Sequence, residues 1–129
     1  MSDSMVRGSF VWHELLTTDP KSAAAFFTKV VGWKTQPWGQ DGSYTLFLSG
    51  SRQMAGLMAL PDEARKMGAP SHWLTYVGTP NVDETVRLAA SLGAKVHKGP
   101  EDIPTVGRFA VIEDPQSAYL GVYTSRQPG

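Results

Sequence analysis

The sequence predicts an α+β protein built from two βαβββ modules, and three observations favour this fold class. Strand-like and helix-like stretches follow one another in the order βαβββ, and the same order begins again after a polar segment. The chain of 129 residues is also long enough for one domain with a core and short for two. We therefore expect a leader at 1–9 and a single domain at 10–129, with modules 10–60 and 72–124 joined by linker 61–71.

The first module opens with a strand at residues 10–16 (FVWHELL), which are mostly aromatic and aliphatic. An Asp or Thr cap followed by Pro20 predicts the start of a helix, because proline is favoured in the first helical turn. The alanine-rich residues 21–31 continue this helix with their apolar side chains on one face. Three short strands follow, separated by glycine-containing turns, at residues 33–38, 44–49 and 54–60.

The second module repeats this order after the polar linker. A strand is predicted at residues 72–77 (HWLTYV), and a helix at residues 82–92, with Asn81 as its cap and Gly93 at its end. Three more strands are predicted at residues 95–98, 108–113 and 118–124. The repeated order is the most informative feature of the sequence.

Sliding one module along the other predicts which positions correspond. Trp12 stands seven residues before the acidic residue at the end of its strand, and His72 stands seven residues before Thr79. In the last strands an offset of 65 superimposes Gly56 on Gly121. We therefore expect Trp12 to correspond to His72, and Gly56 to Gly121.

Composition excludes several classes of protein. The 12 basic and 12 acidic side chains balance, so nothing favours nucleic acid as a partner. No cysteine is present, which excludes disulfides, thiolate nucleophiles and thiolate metal sites. No apolar run is long enough to cross a membrane, and no targeting segment is recognisable, so we expect a cytoplasmic protein without a membrane partner.

Several motifs together resemble one known superfamily. They are WHELLTTD at 12–19, GW at 32–33, WLTYV at 73–77, GRFAV at 107–111 and DPQSA at 114–118. This set resembles the glyoxalase, bleomycin-resistance and extradiol-dioxygenase superfamily, also called the vicinal oxygen chelate proteins. The resemblance implies a glyoxalase-like fold, in which a curved mixed sheet surrounds a concave cleft, and it implies a homodimer.

The resemblance also implies where a metal would be held. In metal-using members, each module supplies one ligand, typically histidine, near the start of its first strand and one carboxylate in its last strand. These positions correspond to Trp12, His72, Gly56 and Gly121, so His72 is the only residue with a donor atom at a family ligand position. Catalytic metals need about three protein ligands. We therefore expect no metal and no other cofactor, with a divalent metal held by neighbouring side chains as the alternative.

Strand alternation predicts which side chains face the cleft. The expected ligand-binding residues are Trp12, Glu14, His72, Tyr76, Arg108, Tyr119 and Tyr123. The two glycines are expected to leave open space among them, and the loop from Gly99 to Gly107 is expected at the mouth of the cleft. Arg108 would bind a ligand carboxylate or cap the cleft. The alternative is that the aromatic residues only fill the interior of the sheet.

Glu14 and the histidines each allow two interpretations. Glu14 is costly to bury without a partner. It is therefore either a general base with a raised pKa or a structural acceptor for Arg108 or a tyrosine hydroxyl. His72 contacts the ligand or makes a local hydrogen bond beside the linker. His13 should face the helix side of its strand, where a structural role is more common.

These observations predict a metal-independent protein of the glyoxalase and bleomycin-resistance type that binds a small apolar or aromatic molecule. The alternative is an enzyme, either similar to lactoylglutathione lyase or similar to a dioxygenase or hydroxylase, with Glu14 as its catalytic residue and His72 as partner. A third possibility is an accessory module with a vestigial cleft. Whether a reaction is catalysed stays open at this stage.

Overall fold

A computed structural model describes residues 7–39, 42–104 and 106–125. The described residues form eight strands and three helices. They divide into two compact units: the N-terminal unit, residues 13–74, and the C-terminal unit, the described parts of residues 1–12 and 75–129. No helix among the described residues has the length and apolar character needed to span a membrane.

The elements follow the predicted order. The first module contains β1 (Phe10–Thr17), α1 (Pro20–Val30), β2 (Lys34–Trp38), β3 (Tyr44–Ser49) and β4 (Arg52–Ala59). A short helix, α2 (Asp62–Lys66), lies within the segment predicted as a linker. The second module contains β5 (His72–Gly78), α3 (Val82–Ser91), β6 (Lys95–Ile103), β7 (Gly107–Glu113) and β8 (Tyr119–Ser125). The predicted α+β class and the repeated βαβββ order are confirmed.

Strand pairing is the same within the two modules. The first has the strand order β2-β3-β4-β1 and the second β6-β7-β8-β5. In both, the outer pairs are antiparallel and the last pair is parallel. A parallel pair needs a long crossover connection between its two strands. In each module this connection includes the helix that directly follows the first strand.

Both long helices begin at the predicted caps. The Asp19 carboxylate accepts a hydrogen bond of 3.1 Å from the Ser22 amide, and Pro20 occupies the first turn. The Asn81 side chain accepts an equivalent bond of 3.1 Å from the Glu84 amide. Each cap satisfies an amide that the helix itself leaves without a partner.

Each of the two long helices covers one face of the sheet in its own unit. In the N-terminal unit, Leu15, Phe47, Ala55 and Leu57 form a buried cluster against which Ala23, Ala24, Phe27 and Trp33 pack. In the C-terminal unit, the cluster consists of Val82, Val86, Ala110 and Val122. Along each strand, the neighbours of these cluster residues lie on the other face of the sheet, away from the helix.

The predicted correspondence between Trp12 and His72 is wrong by two residues. In the parallel pairs, Glu14 lies opposite Gly56 and Tyr76 lies opposite Gly121. Glu14 and Tyr76 are therefore equivalent and 62 residues apart, and Leu74 is the residue equivalent to Trp12. The physical reason is that Asn81, and not Thr79, is the helix cap equivalent to Asp19. The correspondence of Gly56 with Gly121 is confirmed.

The predicted loop from Gly99 to Gly107 is largely a strand. β6 continues to Ile103, and Glu101 pairs with Phe109 of β7. Two irregularities in the register, between Val96 and Glu101, allow the strand to pass Gly99 and Pro100. A proline donates no hydrogen bond to the ladder, and the irregular register accommodates it here.

Replacing Gly121 with alanine is expected to lower the free energy of unfolding by about 1–3 kcal/mol, because overpacking a core is destabilising. The added methyl group would overlap the ring of Tyr76, which is only 7% exposed and has little room to move. Urea titration of the wild type, each single variant and the double variant with Tyr76→Leu measures the coupling between the two positions.

The double variant should lose less stability than the sum of the two single changes. Ser49→Ala, at an exposed strand end, is the control and should change the free energy of unfolding by less than about 0.5 kcal/mol. Strictly additive losses would contradict the contact between Tyr76 and Gly121.

Candidate functional site

One face of the sheet in the C-terminal unit carries a group of aromatic side chains. α3 packs on the face that contains Ala110 and Val122. Residues that alternate with these two, together with the residue paired to Gly121, lie on the other face. The aromatic residues of this face, here termed the aromatic face, are Tyr76, Phe109, Tyr119 and Tyr123.

The aromatic face grades from buried to exposed. Tyr76 is 7% exposed, and its ring meets that of Phe109 edge-on at a centroid distance of 6.2 Å. Tyr123 is partly buried, and its hydroxyl donates a hydrogen bond of 2.9 Å to the Val106 carbonyl. Tyr119 is 48% exposed. The predicted site residues Tyr76, Tyr119 and Tyr123 are therefore brought to one face of one unit.

The space that two glycines were expected to leave open is filled by tyrosine rings. A side chain at Gly121 would overlap the ring of Tyr76, and one at Gly56 would overlap the ring and hydroxyl of Tyr44. This part of the pocket prediction is wrong. The physical reason is that a glycine in a strand permits a neighbouring ring to lie directly against the backbone, and a tyrosine in each unit does so.

Glu14 has a tyrosine partner in the N-terminal unit. The Tyr44 hydroxyl donates a hydrogen bond of 2.6 Å to a carboxylate oxygen of Glu14, and both side chains are partly buried. The predicted tyrosine partner is therefore found, and Arg108 binds Asp83 and Asp102. Trp38 lies edge-on to Tyr44 at 5.8 Å, so the pair is bordered by a second aromatic ring.

The two histidines considered from sequence lie in β1 and at the start of β5. The Nδ1 atom of His72 is 2.7 Å from the Pro70 carbonyl, which is the local hydrogen bond considered as its alternative role. His13 is exposed and shares the strand parity of Leu15, whose side chain joins the cluster that packs with α1. Trp12 is partly buried and shares the parity of Glu14.

The four positions that correspond to family metal ligands have no donor side chains. With the corrected register they are occupied by Trp12, Leu74, Gly56 and Gly121. Within the described residues, no group of three or more His, Asp or Glu side chains is placed to hold a metal ion. The residues present therefore do not fit the metal that the superfamily resemblance implies.

Arg108 lies on the helix side of the sheet, away from the aromatic face. Its guanidinium binds both carboxylate oxygens of Asp83 at 2.9 and 3.0 Å and one oxygen of Asp102 at 3.0 Å. The bonds from Arg108 lower the pKa of Asp83. A depression of about 280 Å³, which includes Asn81 and Thr124 in its wall, lies beside this network. Arg108 is thus already neutralised by two acidic partners.

A second polar cluster on the strands β6, β7 and β8 was not predicted from sequence. The Nε2 atom of His97 is 2.6 Å from a carboxylate oxygen of Glu113, and these side chains are 23% and 13% exposed. The His97 ring stacks on Tyr119 at 4.7 Å. Hydrogen bonds from His97 and then Ser117 hold the pKa of Glu113 below its usual range. Burial, together with the charge of Glu113, raises the pKa of Tyr119.

The stability of the protein should depend on the ionisation of Glu113. Because the folded-state pKa of Glu113 is lowered, its contribution is present above about pH 4.5 and is lost as the pH falls through the folded-state pKa. Urea midpoints of wild type and Glu113→Gln, measured from pH 7 downward, should converge as the solution becomes acidic. Glu63→Gln, on an exposed position of α2, is the control and should leave the pH profile unchanged. A constant gap between wild type and Glu113→Gln at every pH would contradict this role.

Comparison with known proteins identifies relatives along most of the chain. The Glyoxalase/Bleomycin resistance protein/Dioxygenase superfamily model matches residues 9–120. A Mycobacterium tuberculosis protein named Putative glyoxylase CFP32 is 38% identical over 117 residues, 89% of this chain and 43% of that protein. Anthracycline biosynthesis protein DnrV of Streptomyces peucetius is 26% identical over 128 residues, 90% of this chain and 46% of that protein. The chain therefore spans less than half the length of these curated relatives.

Solved structures with the same fold are more distant in sequence. Methylmalonyl-CoA epimerase of Streptomyces coelicolor matches with a TM-score of 0.63 at 14% identity, covering 95% of this chain and 99% of that chain. Homoprotocatechuate 2,3-dioxygenase of B. fuscum matches with a TM-score of 0.62 at 16% identity, covering 95% of this chain and 33% of that one. At these identities the structures support the fold alone. Since the family model covers residues 9–120, the chain belongs to the glyoxalase, bleomycin resistance protein and dioxygenase superfamily.

Proposed function

We propose that this protein binds a small apolar or aromatic molecule on the aromatic face of its C-terminal unit, without a metal. The observation that carries the proposal is the grouping of Tyr76, Phe109, Tyr119 and Tyr123 on the face opposite α3. Binding surfaces for small molecules are mostly apolar and aromatic, with a few polar groups that orient the ligand. The aromatic face has this composition.

The gradient of exposure across the aromatic face supports binding rather than a purely structural role. Tyr76 is buried and its ring packs against that of Phe109, whereas Tyr119 is 48% exposed. Covering apolar surface contributes about 25 cal/mol per Å², so a planar ligand placed against Tyr119 gains free energy in proportion to the area it covers. Ring contacts of this kind add about 0.5–1.5 kcal/mol beyond the area.

The absence of a resident metal is part of the proposal and follows from the side chains at the ligand positions. An indole, a leucine and two glycines cannot coordinate a divalent ion, and thiolates are missing from the chain altogether. The ligand would therefore be held by aromatic contact and hydrogen bonds.

An enzyme is the second candidate, and the pairing of Glu14 with Tyr44 favours it. A partly buried carboxylate bonded at 2.6 Å to a phenol is a positioned acid–base pair. One curated relative is named a glyoxylase, which agrees with a lyase-like activity. Under this candidate, Glu14→Gln would abolish turnover while Tyr44→Phe would change its pH dependence.

The partners expected from sequence belong to the same proposal. They are a small-molecule ligand and a second copy of the chain, with the homodimer in the cytoplasm and no binding to nucleic acid or membranes. The balanced charge of the chain supports the last two exclusions. Light scattering of the purified protein measures the oligomeric state.

A panel of neutral planar aromatics, for example indole, naphthalene and anthraquinone, should contain members that raise the melting temperature. At a free concentration of 100 times Kd, binding stabilises the folded state by about 2.7 kcal/mol. NMR shifts caused by such a member should map to the aromatic face. Tyr119→Ser should weaken binding, because it removes the most exposed ring of this face.

Leu92→Ser is the matched control, because Leu92 is 70% exposed at the end of α3 and does not belong to the aromatic face. It should leave binding unchanged. If no member of the panel shifts the resonances of the aromatic face, the proposal is wrong and an accessory module becomes the better account.

Metal analysis of protein purified without chelators should find no stoichiometric divalent ion. Added nickel, zinc, manganese or iron(II) should leave the melting temperature unchanged, because a ligand stabilises the folded state only if it binds it. About one equivalent of bound metal, removed by a chelator together with a loss of stability, would overturn the metal-free part of the proposal and favour the enzyme.

A further inference from the structure

The cluster of His97, Glu113 and Tyr119 holds an imidazole ring in a defined orientation. The Nε2 atom of His97 is 2.6 Å from a carboxylate oxygen of Glu113, and its ring stacks on Tyr119 at 4.7 Å. Among the residues that the structure describes, no partner is found for its Nδ1 atom. The side chain is 23% exposed, so this nitrogen lies in a region that is sheltered but open to small molecules.

The contact with Glu113 determines which nitrogen of His97 accepts. An ionised carboxylate only accepts hydrogen bonds, and the lowered pKa of Glu113 keeps it ionised near neutral pH. The Nε2 atom must therefore carry the hydrogen. In a neutral imidazole the lone pair is then on Nδ1, which is the nitrogen without a partner among the described residues.

The geometry points to a ligand that offers a weakly acidic N–H or O–H group on a planar ring, donated to Nδ1 of His97. This inference rests on the proposed function, because Tyr119 of the cluster is also part of the aromatic face and the inference names the chemical class of its ligand. Glu113 is a positioning residue, since it fixes the tautomer through Nε2 and leaves the ligand contact to His97.

Two neighbours favour this class of ligand. Tyr119 stacks on the imidazole and is itself 48% exposed, so it provides an aromatic surface next to the acceptor. Lys95 lies opposite Glu113 in the strand register and is exposed. When a ligand donates a hydrogen bond to His97, its donor atom becomes partly negative. The positive charge of Lys95 stabilises that atom. A strongly anionic ligand would instead meet the carboxylate of Glu113.

The test compares phthalimide, which has one acidic N–H on a planar ring, with N-methylphthalimide, which lacks it. Wild-type protein should bind phthalimide about three- to tenfold more tightly, the range expected for one net hydrogen bond. In His97→Phe, which retains an aromatic ring beside Tyr119 but has no Nδ1, this ratio should fall to about one. The matched control is His13→Phe at an exposed histidine of β1, which should retain the wild-type ratio.

An NMR measurement provides a second readout. The ¹⁵N resonance of His97 Nδ1 should move on addition of phthalimide and stay in place with the methylated analogue. His97→Leu, which has no hydrogen-bonding atom in its side chain, serves as the test variant if His97→Phe does not fold.

Equal affinities in the wild type, or a ratio that His97→Phe leaves unchanged, would overturn this inference while the proposed function stands. Binding of neither probe would also overturn it, and the panel of neutral aromatics then decides the proposed function separately.

Discussion

The parallel strand pair in each module determines which side chain lies opposite the glycine of its last strand. It places a glycine opposite Glu14 in one case and opposite Tyr76 in the other. A glycine there provides no donor atom, and it removes the Cβ that would hold a ring away from the backbone. Tyr44 and Tyr76 occupy that space. In both modules, a position that could hold a metal ligand is therefore a glycine covered by a tyrosine ring. Any polar group that contacts a ligand must come from other positions on these faces.

The polar groups that could act on a ligand are placed differently in the two units. In the N-terminal unit, Glu14 is engaged by the Tyr44 hydroxyl at 2.6 Å. In the C-terminal unit, the polar atoms are found on the outer strands, where His97 and Glu113 meet. A carboxylate that accepts from an imidazole is satisfied, while a neutral imidazole retains one acceptor. This arrangement suits recognition of a hydrogen-bond donor better than coordination of an ion.

Much of the fold could be predicted from the sequence because local rules decide it. Strand runs and the caps at Asp19 and Asn81 place the elements within a few residues. The register of the repeat is also encoded locally, since matching the two caps gives the offset of 62 that the strand pairs require. Contacts that depend on the register between strands could not be predicted in this way. The meeting of His97 with Glu113 follows irregularities in β6 that no local pattern indicates.

The ion pairs of Arg108 bear on the charge that the proposed ligand can carry. An arginine at a strand start suggests an anchor for a carboxylate, yet its guanidinium is bound by Asp83 and Asp102 on the helix side of the sheet. An anionic ligand would have to compete with both carboxylates there. On the aromatic face, the ionised Glu113 also disfavours a full negative charge. A neutral or weakly acidic molecule avoids both costs and gains the ring surface of Tyr119. The electrostatics of the C-terminal unit therefore support the same ligand class that is proposed for His97.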